Sequence, residues 1–160
     1  MKKIQDAINI SAPNLVNICV DESLSGEISG RIYHCYQNEP VLFSNLVQLL
    51  RIMEKLFDDI QFPQSATKSR SFFDANMQIQ KEKIKLADQK EIIQWTGGKS
   101  TFIIIVQFRQ NSTWQGELYW VEKEEKQHFS STLDLIKILD GDLALAEIEK
   151  RAAEEKAIAK

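Results

Sequence analysis

Apolar and polar positions alternate in two modes along this chain, and the order in which the modes appear is its main signal. Near Leu15 and again after Thr101 come short β-branched runs, LVNICV and FIIIVQF. The second is too short and too β-branched for an isolated helix, and reads as a strand buried on both faces. Each run is followed by an alternating segment marked by a glycine. In GRIYHCY, Ile32, His34 and Tyr36 fall on one face and Tyr33 and Cys35 on the other; in GELYWVE, Leu118 and Trp120 alternate with Tyr119 and Val121. Gly30 and Gly116 stand near the entries to these strands, where a missing side chain permits a bulge or a close backbone approach. QNSTW (110–114) and EKEEK (122–126) suit hairpin turns.

The period then changes to that of a helix. Ser44 is placed to cap a helix whose apolar positions Leu46, Val47, Leu49, Leu50, Met53, Leu56, Phe57 and Ile60 recur three and four apart, with Gln48, Arg51, Glu54, Lys55 and Asp58 opposite. Ser130 or Ser131 is placed to cap a second helix that buries Leu133, Leu135, Ile136 and Leu139, with Gly141 set to end or bend it. From Asp142 to Lys160 alanine, glutamate and lysine dominate, which predicts an exposed, charged C-terminal helix with Glu147 and Arg151 as a four-apart pair.

Laid over one another without a gap, the stretches starting at Leu15 and Thr101 bring Ile18, Val20, Gly30, Tyr33, Glu39, Phe43, Ser44 and Leu49 onto Ile104, Val106, Gly116, Tyr119, Glu125, Phe129, Ser130 and Leu135. The fold expected is therefore α+β: two tandem βββα units forming antiparallel sheet with helices packed on one face, plus the charged C-terminal helix. Residues 1–62 hold the first unit, 63–99 a basic connecting segment, and 100–160 the second unit. Units of this size are marginal alone and should share one core. Within the connecting segment a helix is expected from about Asn76 to Lys90, although Met77/Ile79 and Ile84/Leu86 also alternate like strands.

Composition narrows the class. A chain of 160 residues, 43% hydrophobic, can bury a core without disulfides, and the two cysteines, Cys19 and Cys35, read as reduced, buried residues of a cytoplasmic protein. The start, MKKIQDAINISAPN, is interrupted by polar residues before a signal-peptide core develops, and no apolar span is long enough to cross a membrane. A net charge of −3 favours neither a nucleic-acid binder nor an acidic mimic of DNA.

Candidate chemistry is sparse. Gly98-Lys99-Ser100-Thr101 looks like the end of a phosphate-binding loop, but Ile93 occupies the place of its first glycine and a strand follows instead of a helix, so the oriented amides that hold phosphate are missing. Thr96–Lys99 reads instead as a turn closing a hairpin between EIIQW and TFIII. His34 and His128 have no close ligand spacing with Cys19 or Cys35, no glycine-flanked serine elbow occurs, and Asp58 and Asp59 point about 100° apart on a helix. No catalytic residue, metal ligand or cofactor is assigned.

What remains is surface. A hairpin tip carrying Arg109, Gln110, Asn111 and Trp114, and a loop carrying Lys68, Arg70, Phe72 and Phe73, have the mixture of aromatic, cation and amide that supplies binding energy in interfaces. The expected role is a non-enzymatic interaction module: a small bacterial regulator or inhibitor docking on a larger protein, as an antagonist of a host defence nuclease in the manner of an anti-CRISPR would. Single-stranded nucleic acid is the alternative partner, with Trp114, Tyr33 or Tyr119 stacking bases and Lys81, Lys83, Lys85 and Arg109 meeting phosphates. A third reading is a small-molecule sensor with a pocket between the two units. A homodimer through sheet edges or the C-terminal helix is also possible on this pattern.

Overall fold

Two strands of buried, mostly β-branched residues, β1 (Val16–Leu24) and β4 (Ser100–Gln110), lie antiparallel side by side at the centre of one sheet. Both are flanked on each side by another strand and covered on both faces, and every residue from Val16 to Val20 and from Ser100 to Val106 is buried. Outward from β1 come β2 (Glu27–Tyr33) and the edge strand β3 (Val41–Phe43); outward from β4 come β5 (Thr113–Trp120) and the opposite edge, β6 (Glu125–Phe129). The order is β3-β2-β1-β4-β5-β6, antiparallel at each step. The computed structural model describes residues 2–24, 26–64, 84–110 and 113–158, with the side chains of Lys2 and of residues 141–151 excepted.

The alternation of side chains sends the two faces of this sheet into different layers. Val16, Ile18, Val20, Ile32, Phe102, Ile104, Leu118 and Trp120 face the two long helices, α2 (Leu46–Ile60) and α4 (Thr132–Ile158), meeting Leu49, Met53, Leu56, Phe57, Leu135 and Leu139. Cys19, Tyr33, Ile103, Ile105 and Tyr119 face the other way, where Ile4 of α1 (Lys2–Ala7), then Ile8, Ala12 and Leu15, and Ile92 of α3 (Gln89–Ile92) cover them. The expectation of helices on one face is thus corrected. The strands carry apolar residues at both parities, and that obliges a second cover.

Two bulges reset the alternation. The β1–β2 register slips between Val20 and Glu22, and the β4–β5 register between Val106 and Phe108. The residues facing the slips are Gly30, paired with Val20, and Gly116, paired with Val106. Both sit in mid-strand, not at the strand entries. The extra residue of a bulge inverts which side chains point inward beyond it, with consequences described below.

The helix starts follow a common pattern one residue later than Ser44 would require. Asn45 is the N-cap of α2, its side chain accepting from Gln48 N (2.8 Å), while Ser44 donates from its backbone N–H and its hydroxyl to Gln48 Oε1 (both 2.7 Å). In α4, Ser131 Oγ accepts from Asp134 N (3.0 Å), while the Ser130 N–H and hydroxyl both donate to Asp134 Oδ2. Asn45→Ala and Ser131→Ala are each expected to lower stability by about 1 kcal/mol in chemical denaturation, and Ser44→Ala by less, because its hydroxyl bonds only an exposed amide. Two positions assigned to buried stripes are in fact exposed: Val47 and Leu133, each in the first turn of its helix. Gly141 does not end α4, which runs on to Ile158.

The connecting region departs most from expectation. Of the helix foreseen over 76–90, residues 76–83 lie outside the described residues, and Ile84 to Asp88 is not helical; α3 is a single turn. EIIQW is therefore not a strand, and Thr96–Lys99 closes no hairpin. Those residues instead lie against β1 at its bulge: Gly97 N–H bonds Thr101 Oγ1 (2.9 Å), Gly98 N–H bonds Asp21 Oδ1 (3.2 Å) and Lys99 N–H bonds Val20 O (2.9 Å). Ser100 and Thr101 then enter β4, so the phosphate-loop resemblance leads into a strand. Among the described residues no helix is long and apolar enough to cross a membrane.

Candidate functional site

Burial decides the fate of most residues singled out in the sequence. Beyond the β4 bulge, Arg109 and its cross-strand partner Trp114 turn inward toward α2. Trp114 is 6% exposed, packs edge-on against Phe57 (5.5 Å between centroids) and donates through Nε1 to Glu54 (2.9 Å). Arg109 is 4% exposed, donating to Pro63 O (2.7 Å), Asp58 (2.8 Å) and Glu54 (3.3 Å). Their side chains are thus not at a solvent-facing hairpin tip, which corrects the location read from the sequence: Arg109 is turned in by the inverted alternation of β4, and Trp114 by the unbroken alternation of β5, which puts it on the face of Leu118 and Trp120. Gln110 is exposed at the end of β4. Asn111, Lys68, Arg70, Phe72 and Phe73 lie outside the described residues, as do Lys81 and Lys83. Tyr33 and Tyr119, considered as base-stacking residues, are 8% and 3% exposed, so they have no free ring face either.

Cys19 and Cys35 are free and buried. Burial pushes the Cys19 thiol up to about 12 and raises that of Cys35 as well, so neither is poised as a thiolate. His34 is buried just beyond β2, its Nδ1 accepting from Tyr36 N (3.2 Å). His128 is exposed, 3.8 Å from Glu117. Among the described residues no three His, Cys, Asp or Glu side chains are grouped to hold a metal ion.

The structure draws attention instead to Trp95, which is 52% exposed yet held from several directions. Leu86 and Ala87 donate to Cys35 O (2.7 and 3.1 Å), laying that segment beside the turn after β2. Asp88 caps α3, and the buried Asn17 of β1 donates to Ile92 O (2.8 Å) and Trp95 O (2.9 Å). The Trp95 ring then stacks on Tyr33, 5.3 Å between centroids and 3° from parallel.

Tyr33 is itself anchored. Arg31 donates from Nη1 to the Tyr33 hydroxyl (2.7 Å), from Nη2 to Thr96 O (3.0 Å), and in a two-point pair to Asp21 (2.8 and 3.0 Å). Asp21 is the residue squeezed out by the β1 bulge. Its hydrogen bond from Arg31, aided by the Gly98 amide, holds its carboxyl below the usual carboxylate range against an opposing effect of burial. Its stabilising contribution is therefore intact above about pH 4 and lost as pH falls through the lowered value. The denaturation midpoint is expected to drop on acidification below about pH 4, and Asp21→Asn to be less stable near neutrality and less sensitive to acid.

Around the stacked pair lies a cleft of about 420 Å³, walled by Tyr33, His34, Gln37 and Asn38 on one side and Leu86, Ala87, Glu91, Ile92, Gln94 and Trp95 on the other. Leu86 is 56% exposed and Ile84, two residues earlier, 78%. An indole, aliphatic side chains and a rim of amides are thus presented together on a fixed backbone. A smaller groove includes Phe62 and Phe108, the latter turned outward by the β4 bulge, but its described lining has one charge, Arg109, already engaged with Pro63, Glu54 and Asp58.

The sequence reading missed Trp95 because EIIQW was assigned to a strand. One signal was available. Trp95 precedes Thr-Gly-Gly-Lys and has no apolar side chain following it before Phe102, so the apolar pattern stops at the tryptophan. Comparisons with protein-family models, with curated proteins and with solved structures find no match, so the reading of this cleft rests on its own geometry.

Proposed function

We infer that the protein is a non-enzymatic interaction module that docks on a larger protein through the Trp95 cleft. The observation that carries this reading is a tryptophan left half exposed while its backbone and one ring face are fixed by Asn17 and Tyr33. Tryptophan is the residue most enriched among interface hot spots, and a ring already immobile loses little entropy on binding. Nucleic acid is less favoured, because the aromatics proposed to stack bases are buried and Arg109 is committed internally. A sensor pocket between the two halves is also less favoured, since the cleft is walled by residues 33–38 and 86–95. A regulator or inhibitor is the role that suits such a module, and a cytoplasmic setting fits its two free, buried cysteines.

The test is a photo-crosslinking residue at the exposed Gln94, used in cells of the source organism. A saturable protein adduct is expected that disappears with Trp95→Ala and persists with Phe108→Ala, while thermal unfolding shows both variants folded. Adducts indifferent to Trp95, or none, would overturn the reading.

The architecture behind this cleft is best read as two copies of a βββα unit. Several features recur 86 positions apart: the bulges after Val20 and Val106, the glycines Gly30 and Gly116 with their partners Phe43 and Phe129, and the caps at Asn45 and Ser131. The central register supports the same reading, because Asn17 and Ile103, also 86 apart, face each other across β1 and β4. The counterparts of Arg31 and Tyr33 are Glu117 and Tyr119, so among the described residues the arginine that anchors the stacked tyrosine has no equivalent in the second copy.

A further inference from the structure

Resting on the docking role just described, we propose that the Trp95 cleft receives an arginine side chain of the partner protein. Tyr33 covers one face of the indole, so the exposed half of Trp95 is its other face and edge, open to a flat group. Among the described residues lining the cleft the only full charge is Glu91, which is exposed, and Gln37, Asn38 and Gln94 add amide oxygens that can accept hydrogen bonds. Arg31, the cation beneath the platform, is engaged by Asp21, Tyr33 and Thr96. Lys85, which acts on the Cys35 thiol, is not part of the lining.

An anion entering this space would meet the negative face of an indole and a carboxylate. A guanidinium meets what it needs: a ring to stack on, and acceptors around its edge for a fork of N–H donors. Lysine has the charge but not the plane, so it gains less from the ring and cannot bond two acceptors in one plane. An uncharged aromatic would use the ring and leave Glu91 unanswered.

The probe is the tripeptide acetyl-Gly-Arg-Gly-amide, titrated into the intact chain and followed by tryptophan fluorescence. Trp114 and Trp120 are 6% and 2% exposed, so the solvent-sensitive emission belongs to Trp95. Saturable binding in the millimolar range is expected, weaker by about fivefold for the Lys tripeptide and weaker by a similar factor in Glu91→Gln. No binding is expected for the Glu tripeptide or for uridine monophosphate. Equal affinity for Arg and Lys, preference for the Glu peptide or the nucleotide, or no response to the Arg peptide overturns the proposal. If the Trp95-dependent protein adduct survives while the Arg peptide fails, the arginine assignment falls and the docking role stands. If no such adduct forms, the docking role itself falls.

Discussion

Gly30→Ala is expected to lower stability by at least about 3 kcal/mol, a large share of the marginal stability of an ordinary domain. A methyl group at Gly30 would fall on the carbonyl oxygen of Cys19, with Cys19 C at 3.0 Å and Asp21 N at 3.1 Å. All three are backbone atoms of a central strand, and no side chain can swing aside to relieve them. Gly116→Ala is expected to behave alike, meeting Ile105 O, the Phe129 ring at 2.8 Å and Val106 Cα at 3.0 Å. Gly26 is the control. Nothing lies within 4 Å of its added methyl, and only its positive φ of 80° opposes alanine, so Gly26→Ala should cost about 1 kcal/mol. Urea denaturation of the three variants separates crowding from backbone strain. A Gly30→Ala protein with the parent midpoint would mean that the β1 bulge does not bring these backbones together.

Arg109→Ala is the second large effect, with a loss of about 3 kcal/mol expected in the same measurement. The side chain is 4% exposed and joins Pro63 O, Asp58 and Glu54 while lying 5.8 Å from the Phe57 centroid. Removing it leaves Pro63 O without this donor and opens a hole between β4 and α2. The carboxylates differ, because their side chains are 47% and 53% exposed and water can replace the guanidinium. Asp58→Asn should therefore cost less than about 1 kcal/mol. Arg109→Met, which keeps an unbranched stem against Phe57, should recover part of the loss. Equal costs for Arg109→Ala and Asp58→Asn would locate the energy in the ion pair and not in the buried arginine.

These two predictions turn on the same kind of feature, and it explains where sequence reading stopped. Strict alternation from Ile104 and Val106 puts Phe108 inside and Arg109 outside. The bulge at Gln107 reverses both, leaving Phe108 half exposed and Arg109 buried. A glycine can hint at a bulge, as Gly30 and Gly116 did, but the strand that bulges is the partner, and its identity depends on pairing. Val47 and Leu133 failed for a simpler reason. At about 100° per residue each lies more than about 100° around its helix from the middle of the buried positions, Leu49, Met53, Leu56 and Phe57 in α2 and Leu135 and Leu139 in α4, so being apolar did not put them on the stripe.

The Trp95 cleft was less legible still. Its walls come from residues 33–38 and 86–95, and its stacking partner, Tyr33, was read as a strand residue with a free face. Arg31 and Asp21 are ordinary charges in the sequence; only the β1 bulge and the amide of Gly98 make them a knot.

Local chemistry alone was enough for the mixed α/β class, the apolar central strands, the polar turns and the neighbourhood of both helix caps, because strand propensity, helical period and capping act within a few residues. Which face of a strand is buried past a bulge, what covers the second side of the sheet, and how a lone tryptophan came to rest on a tyrosine some sixty positions earlier were settled by packing between distant segments. Those outcomes depend on register and close contact across the sheet, which no window of neighbouring residues encodes.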